Sequence, residues 1–484
     1  MPLSNRLKNQ HLLWRAGFGP LAENATDISG LSQRKLWDLL VKTSSKKPEK
    51  IHIASGMFDG LLKGVQDVVK MSELTKEQKK AMRQQSKEDL KSLNLRWLEE
   101  MVNSEAQLME KMSLFWHGHF ACRVINIFFQ QQLLDIIRNN ALGNFGDLLR
   151  AVSKSPAMLQ FLNNQQNRRQ HPNENFAREV MELFTMGRGN YSETDVKEAA
   201  RAFTGWGFNM QGEFVFRKNQ HDEGSKTFLG ETGNFDGDDI IDILLGHKQT
   251  ARFITSKIYR YFVNEKVDQE KIDWLADRFF KAKYEIKKLV EDIFTSDWFY
   301  DEKNIGTKIK SPIELLAGIR RLLPMELENE NSQLLFQRAL GQILFYPPNV
   351  AGWPGGKSWI DSSTLMLRLR IPQIITANEA INIQAKPDDD TMMGRMKEEV
   401  SQPKMNKGFV VKNATAVVDW EVTTSIFEKA SRENLLTEIS NTVLQTKEHA
   451  SKLLLAKYLN TDSRENYIKT AIIRLMSTPE YQLC

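Results

Sequence analysis

Trp116-His117-Gly118-His119-Phe120 sets two imidazoles two residues apart. Histidine titrates nearest neutrality, is the commonest neutral metal ligand, and occurs as His-x-His in metal sites. Near a helix end, with Gly118 loosening the backbone, both rings can converge on one point. The same pair can instead cap the helix C-terminus, where an imidazolium favours the dipole. A second cluster is Asn173-Glu174-Asn175-Phe176-Ala177-Arg178-Glu179-Val180-Met181-Glu182. At about 100° per residue, Glu174, Asn175, Arg178, Glu179 and Glu182 share an arc of about 140°. Phe176, Ala177, Val180, Met181, Leu183 and Phe184 fill the opposite side. One reading is a surface helix, with Glu174–Arg178 and Arg178–Glu182 pairs contributing about 0.2–0.5 kcal/mol each. The other is a polar face turned into a pocket, its carboxylates acting as metal ligands or acid/base groups and Arg178 holding them ionised. His221-Asp222, followed by Lys226, offers a third ligand or acid/base pair. Asp222-Glu223-Gly224 is equally ordinary turn chemistry.

Other chemistries lack their signatures. No Gly-x-Gly-x-x-Gly follows a strand signal, and neither Gly-x-Ser-x-Gly nor His-Glu-x-x-His occurs. Gly356-Lys357-Ser358 has the tail of a phosphate loop, but Ala351 stands where its first glycine belongs and no strand signal precedes it. Thr204-Gly205-Trp206-Gly207 reads as a helix stop with a packed tryptophan. Nucleotide-binding and serine-hydrolase chemistry therefore have little support.

The elements that must position these residues are mostly helices. Leu93, Trp97, Met101, Leu108 and Met112 recur at spacings of four and seven and predict one long helix over Leu90 to Met112, with His117 and His119 at its end. A helix over Phe128 to Leu142 stops at Gly143. Asn173 is a good N-cap for a helix running to about Met186. Ser192-Glu193-Thr194-Asp195 resembles a capping box for the helix Asp195 to Thr204. Phe214 and Phe216 in Gly212–Arg217 give the one clear strand signal, with a hairpin closing near Thr227-Phe228-Leu229-Gly230. Helices resume over Asp238 to Phe262, Lys271 to Phe280, Ile286 to Phe294 and Pro312 to Leu323. Pro347-Pro348-Asn349-Val350-Ala351-Gly352-Trp353-Pro354-Gly355-Gly356 must be an ordered loop if Tyr346, Trp353 and Trp359 are to be buried. The expected fold is mainly α: a large multi-helix domain over residues 1–384 with a small β-hairpin insertion near 212–230. A mobile or irregular segment over 385–421 and a C-terminal helical region over 422–484, packing on the main domain, complete it.

The 484 residues are 41% hydrophobic and 26% charged, which excludes a largely disordered chain. With 27 Gly and 14 Pro, an all-β or collagen-like protein is disfavoured. The 2 cysteines, Cys122 and Cys484, supply neither a disulfide framework nor a cysteine-based zinc site. A net charge of +5 over this length does not imply nucleic acid. Lysine concentrates in Lys46 to Lys50 and in Lys76 to Lys91, but acids interleave there, as on a solvated helix face. No apolar run is long enough to span a membrane, and the N-terminus has no apolar signal core. The expectation is a cytoplasmic chain as given, or a periplasmic or exported one if a signal was trimmed.

These segments, in this order, resemble the bacterial family catalogued as domain of unknown function 1800. The resemblance begins at His11-Leu-Leu-Trp-Arg-Ala-Gly-Phe-Gly19 and continues through Phe115-Trp-His-Gly-His-Phe120, Asn173-Glu-Asn-Phe-Ala-Arg-Glu179 and Glu182-Leu-Phe-Thr185. Ala200-Arg-Ala-Phe-Thr-Gly-Trp206, His221-Asp222 with Lys226-Thr-Phe-Leu-Gly230, and Lys310-Ser-Pro312 follow. Pro347-Pro-Asn-Val-Ala-Gly-Trp353 and Ser477-Thr-Pro-Glu-Tyr481 close it, so it covers nearly the whole chain. Family genes often lie beside a second family similar to sulfatases, which implies a partner rather than a reaction. Membership in the motifs implies that the polar residues above form one constellation. The leading expectation is an enzyme with a polar site between helices. His117, His119, Glu179 and His221 would hold a divalent metal (Zn, Fe or Mn), and Glu174, Arg178, Glu182 and Asp222 would be catalytic. The alternative is a non-catalytic binding or assembly protein acting with a sulfatase-like partner, without nucleic acid or a membrane span. There the same residues form a buried hydrogen-bond network that fixes the fold, and the features that support this alternative are the aromatic loop Tyr346 to Trp359 and the charged helix near Lys76 to Lys91.

Overall fold

Short polar side chains start most of the helices. In this computed structural model, which describes residues 3–25, 27–53, 75–209, 211–377, 381–383, 409–411, 416–446 and 455–484, Ser4 opens α1 (Asn5–Ala16) and Ser32 opens α2 (Gln33–Thr43). Each such cap satisfies an otherwise free N–H and contributes about 1 kcal/mol. The described residues contain 19 α-helices and are 62% helical, with only two-stranded sheets, so the fold is mainly α as expected.

The predicted helix over Leu90 to Met112 is two helices, α3 (Lys76–Asn103) and α4 (Gln107–His119). Gln107 makes the break: its amide donates to the carbonyls of Met101 (3.1 Å) and Ser104 (2.8 Å) and ties off the last turn of α3. Met101 faces one core and Leu108 another, so the seven-residue spacing joined two faces that the structure separates. α5 (Ile127–Asn140) is capped by Asn126, α6 (Phe145–Ser153) by Asn144 and α7 (Pro156–Phe161) by Ser155. α8 (Glu174–Glu179) starts at the predicted cap, Asn173, and passes directly into a π-helical turn, Val180–Thr185. α9 (Glu193–Ala202) carries the complete Ser192–Asp195 capping box.

Two hairpins follow rather than one. β1 (Trp206–Phe208) pairs with β2 (Phe214–Phe216) in the register Trp206↔Phe216, so the predicted strand pairs backward in the chain. β3 (Lys226–Phe228) and β4 (Glu231–Gly233) form the second, turning through Leu229 (φ 48) and Gly230 (φ 87). Two successive left-handed residues match the twist that tight hairpins require.

The helix predicted over Asp238 to Phe262 divides at His247 into α10 (Gly237–Gly246) and α11 (Lys248–Phe262). α12 (Gln269–Lys281) and α13 (Ile286–Phe294) pack onto these, and their apolar faces join α4 to α11 in the largest core. α14 (Pro312–Leu322) is buried along its whole length. Its Leu315, Leu316 and Ile319 enter a second core with α15 (Asn331–Leu340) and α16 (Ser362–Ala377), while Ile313 and Ala317 meet Trp97 and Phe345 in a third. β5 (Met325–Leu327) pairs with β8 (Ala416–Val418), and β6 (Ile381–Ile383) with β7 (Phe409–Val411). Of the expected irregular segment, residues 385–408 and 412–415 lie outside the described residues. α17 (Trp420–Ser425), α18 (Leu435–Val443) and α19 (Arg464–Met476) share the second core. The end of α18 also meets α1, where Gln10 donates to the Asn441 (2.7 Å) and Thr442 (3.1 Å) carbonyls. Among the described residues no helix is long and apolar enough to cross a membrane.

Candidate functional site

α4 continues through both histidines and stops at Phe120, whose N–H donates to the Trp116 carbonyl at 2.8 Å. Two residues apart on an unbroken helix, the rings point to opposite sides. His117 lies between the rings of Trp97 (5.0 Å), Phe345 (5.2 Å) and Trp353 (5.5 Å). Its Nε2 accepts from the Phe345 N–H at 3.3 Å, and its Nδ1 has no partner among the described residues. Burial lowers its pKa to about 3, so the ring is neutral at physiological pH. The loop expected to be ordered covers this helix end. Gly352 (φ 79) rests against the Gly118 carbonyl so closely that a Cβ there would collide with it. Trp359 is buried, while Tyr346 and Trp353 are half-buried.

His119 faces the other way, into Phe115, Trp116, Phe120, Phe145 and Phe184. Its Nε2 lies 3.2 Å from the Phe184 carbonyl and its Nδ1 3.2 Å from Lys257 Nζ. An imidazole that donates to a carbonyl through Nε2 carries its lone pair on Nδ1, toward the lysine. Burial, and then the Lys257 charge, push His119 well below its ordinary value. The π turn is what brings this about. π turns are rare and cluster at functional sites. Here the turn ends with the Met186 N–H bonded to the Met181 carbonyl (2.8 Å), leaving the Leu183 and Phe184 carbonyls for side chains. Lys257, from α11, donates to the Leu183 carbonyl at 3.0 Å, and His119 takes the Phe184 carbonyl. Lys257 is partly exposed and lies over the Phe253 ring. Burial lowers its pKa to about 8. No carboxylate pairs with it among the described residues.

The polar face of α8 and the π turn resolves into neighbourly pairs. Arg178 donates to Glu193 (2.7 and 2.8 Å) and to Glu174 (3.3 Å), and these three groups are exposed or half-exposed. Glu182 accepts from the Tyr191 hydroxyl at 2.6 Å. Burial, and then the charge of Glu182, raise the pKa of Glu179. The structure thus brings Glu174 and Arg178 together with Glu193, which sequence reading did not include.

His221 and Asp222 belong to a different contact, between α9 and the second hairpin. His221 Nδ1 lies 3.0 Å from the Thr204 carbonyl. Asp222 is gripped by Arg201 through two bonds, at 2.7 and 3.2 Å. That guanidinium holds the Asp222 carboxyl below its usual range against the opposing effect of burial. Lys226 donates to the carbonyls of Asp222 (2.5 Å) and Gly224 (3.0 Å) and closes the turn.

The expected metal set of His117, His119, Glu179 and His221 is therefore not brought together. Among the described residues no three His, Cys, Asp or Glu side chains stand where they could hold an ion. The physical reason is the unbroken end of α4, which aims its two imidazoles apart, and the lock between His221 and Thr204.

Sequence reading also missed Lys257 and a buried charge cluster. Lys257 sits among Ile254, Thr255 and Ile258 on an amphipathic helix, where a lysine reads as the edge of the wet face. In the cluster, Glu314 meets Lys111 and Lys308 at 2.5 Å each and takes the Ser311 N–H at 2.7 Å. Burial would raise Glu314, but the two lysines hold it well below its usual range, while burial brings Lys111 down to about 8. The Ser311–Glu314 capping box was a readable signal at sequence level. Lys111, on a different helix, was not.

The family whose description reads protein of unknown function, DUF1800, matches residues 11–483. No curated protein and no solved structure matches the chain.

Proposed function

The chain belongs to the DUF1800 family, and on that footing we propose that it is an enzyme whose reacting group is the Lys257 amine, working beside His119 where α4, the π turn and α11 meet. One observation carries the reading. Lys257 is a partly exposed lysine whose partners are a carbonyl and a neutral imidazole, and burial lowers it to about 8. With that value about a tenth of the molecules carry the free amine at pH 7, against fewer than about one in a thousand for an ordinary lysine. The other lysines brought down by burial are accounted for. Lys111 is bonded to Glu314, Lys226 closes a turn, and Lys310 is sealed between the Trp14 and Tyr481 rings.

A free amine in a partly apolar setting attacks carbonyl carbon. The Lys257 nitrogen forms the N–C bond and the carbonyl electron pair moves to oxygen. Two protons pass from nitrogen to that oxygen, which leaves as water, and an imine remains; water reverses the step. The Nδ1 lone pair of His119 is the nearest relay for those protons. The substrate class is a small aldehyde or ketone.

Borohydride reduction in the presence of glyoxylate, followed by peptide mapping, tests this. The expected result is an adduct on Lys257 whose yield rises with a midpoint near pH 8 and is lost in Lys257→Met. Labelling of Lys257 no faster than that of the exposed Lys248 on the same helix would sink the reading.

The saturation of Arg178, His221 and Asp222 favours a second reading, a non-catalytic binding or assembly protein. In it these groups fix the fold for a partner, for which the family resemblance suggests a sulfatase-like protein. An unreactive Lys257 together with a stable complex with such a partner would support it.

A further inference from the structure

The end of α2 and the loop after it, the start of α4, the end of α5 and the first turn of α13 enclose a cavity of about 430 Å3. That is within the range of small-molecule sites, about 300–1,000 Å3. Leu108, Met109 and Leu142 give it an apolar wall. The wall is fixed in place, because the Met109 N–H donates to Ser44 Oγ at 3.3 Å and so ties α4 to the end of α2. Its charge comes from Lys46, Lys47, Lys287 and Arg138, and no Asp or Glu lines it. Arg138 is already neutralised, since it is bonded to Glu110 and donates to the Glu49 carbonyl at 2.6 Å. The three lysines form no ion pair among the described residues. They come from two separate stretches of chain, and folding places them around one opening. Like charges so placed repel one another, and an anion at the mouth removes that cost.

We infer that this cavity binds a small amphipathic carboxylate, with the carboxylate among Lys46, Lys47 and Lys287 and an apolar body against Leu108, Met109 and Leu142. Arg138 contributes to the wall rather than to the charge, because Glu110 holds it. The site is separate from Lys257, which lies against the opposite end of α4.

Calorimetric titration of the whole chain with sodium octanoate tests the inference, with octan-1-ol and octylammonium as the neutral and cationic counterparts. Octanoate is expected to bind at one site, at least about tenfold more tightly than either counterpart, and to weaken at least about tenfold on going from 0.05 to 0.5 M NaCl. Lys46→Glu/Lys287→Glu, both exposed positions, should weaken it at least about tenfold, whereas Lys287→Arg should bind as the parent does. Equal binding of octanol and octanoate, or a dissociation constant unmoved by the double charge reversal, would overturn it. So would acetate binding as tightly as octanoate, because the apolar wall would then contribute nothing.

Discussion

His117 makes the chain's stability sensitive to acid by an amount that can be worked out. The ring is 6% exposed, lies among three aromatic side chains, and is held neutral with a pKa of about 3. In the unfolded chain an ordinary histidine takes up a proton at about 6.5. The folded value is depressed, so no penalty exists above pH 6.5, and stability falls as the pH drops from there toward 3. At pH 5 the unfolded chain gains the protonation energy of this one group and the folded chain does not, a difference of about 2 kcal/mol relative to pH 7.5. His11 and His119, also buried and pushed well below their ordinary values, add to the total slope. Their contribution is removed by comparing the parent with His117→Gln, whose amide can still accept from the Phe345 N–H but does not titrate. Urea unfolding, followed by tryptophan fluorescence at pH 7.5 and 5.0, supplies the four values. The parent is expected to lose about 2 kcal/mol more than the variant between the two pH values, whatever the variant's own stability. Equal losses would show that His117 protonates in the folded state and that its setting is not the sealed one described.

Other perturbations follow from the same contacts. Glu314→Gln leaves Lys111 and Lys308 buried without a counter-charge and should cost about 3–5 kcal/mol in urea unfolding, a loss that Glu314→Asp only partly repeats. Asp222→Asn removes one of the two carboxylates that hold Arg201, the other being Glu198, and should loosen the second hairpin, costing about 1–3 kcal/mol and exposing residues 222–230 to limited proteolysis. Gly352→Ala meets both a left-handed backbone and the Gly118 carbonyl, and should cost about 1–3 kcal/mol while shifting the fluorescence of Trp353. Removal of divalent metal with EDTA is expected to move the melting temperature by less than about 2 °C. A larger drop would mean that the separated imidazoles are assembled by an ion after all.

Local signals in the chain specified most of the helices. Asn173 and Ser192 start helices where side-chain chemistry said they would, because a cap depends on residues two or three apart and on nothing distant. Periodicity was less dependable where two helices abut. The spacing from Met101 to Leu108 satisfies one helix, and only Gln107, folding back on the carbonyls of α3, divides it. The strand at Phe214 was legible from alternation, but its partner was not, since pairing with Trp206–Phe208 is decided across a turn.

The candidate site shows the same division. Residue types and their resemblance to a family picked out His119 and the Glu174 to Glu182 face, and α8 does present Glu174 and Arg178 side by side. Whether His117 and His119 converge depends on whether the helix continues through Gly118, and it does. Whether Asp222 is free depends on Arg201 (21 residues earlier in the chain), and it is not. Lys257 comes within 3.2 Å of His119 from 138 residues away. Its neighbours include the carbonyls released by a π turn that no propensity announced. The sequence by itself determined a helical fold, its caps and a roll of polar residues. The tertiary structure decided which of those residues are spent on one another and set Lys257 against a carbonyl and an imidazole, with no carboxylate partner among the described residues. Burial and charge pairing are properties of distant residues brought into contact, and spacing along the chain does not encode them.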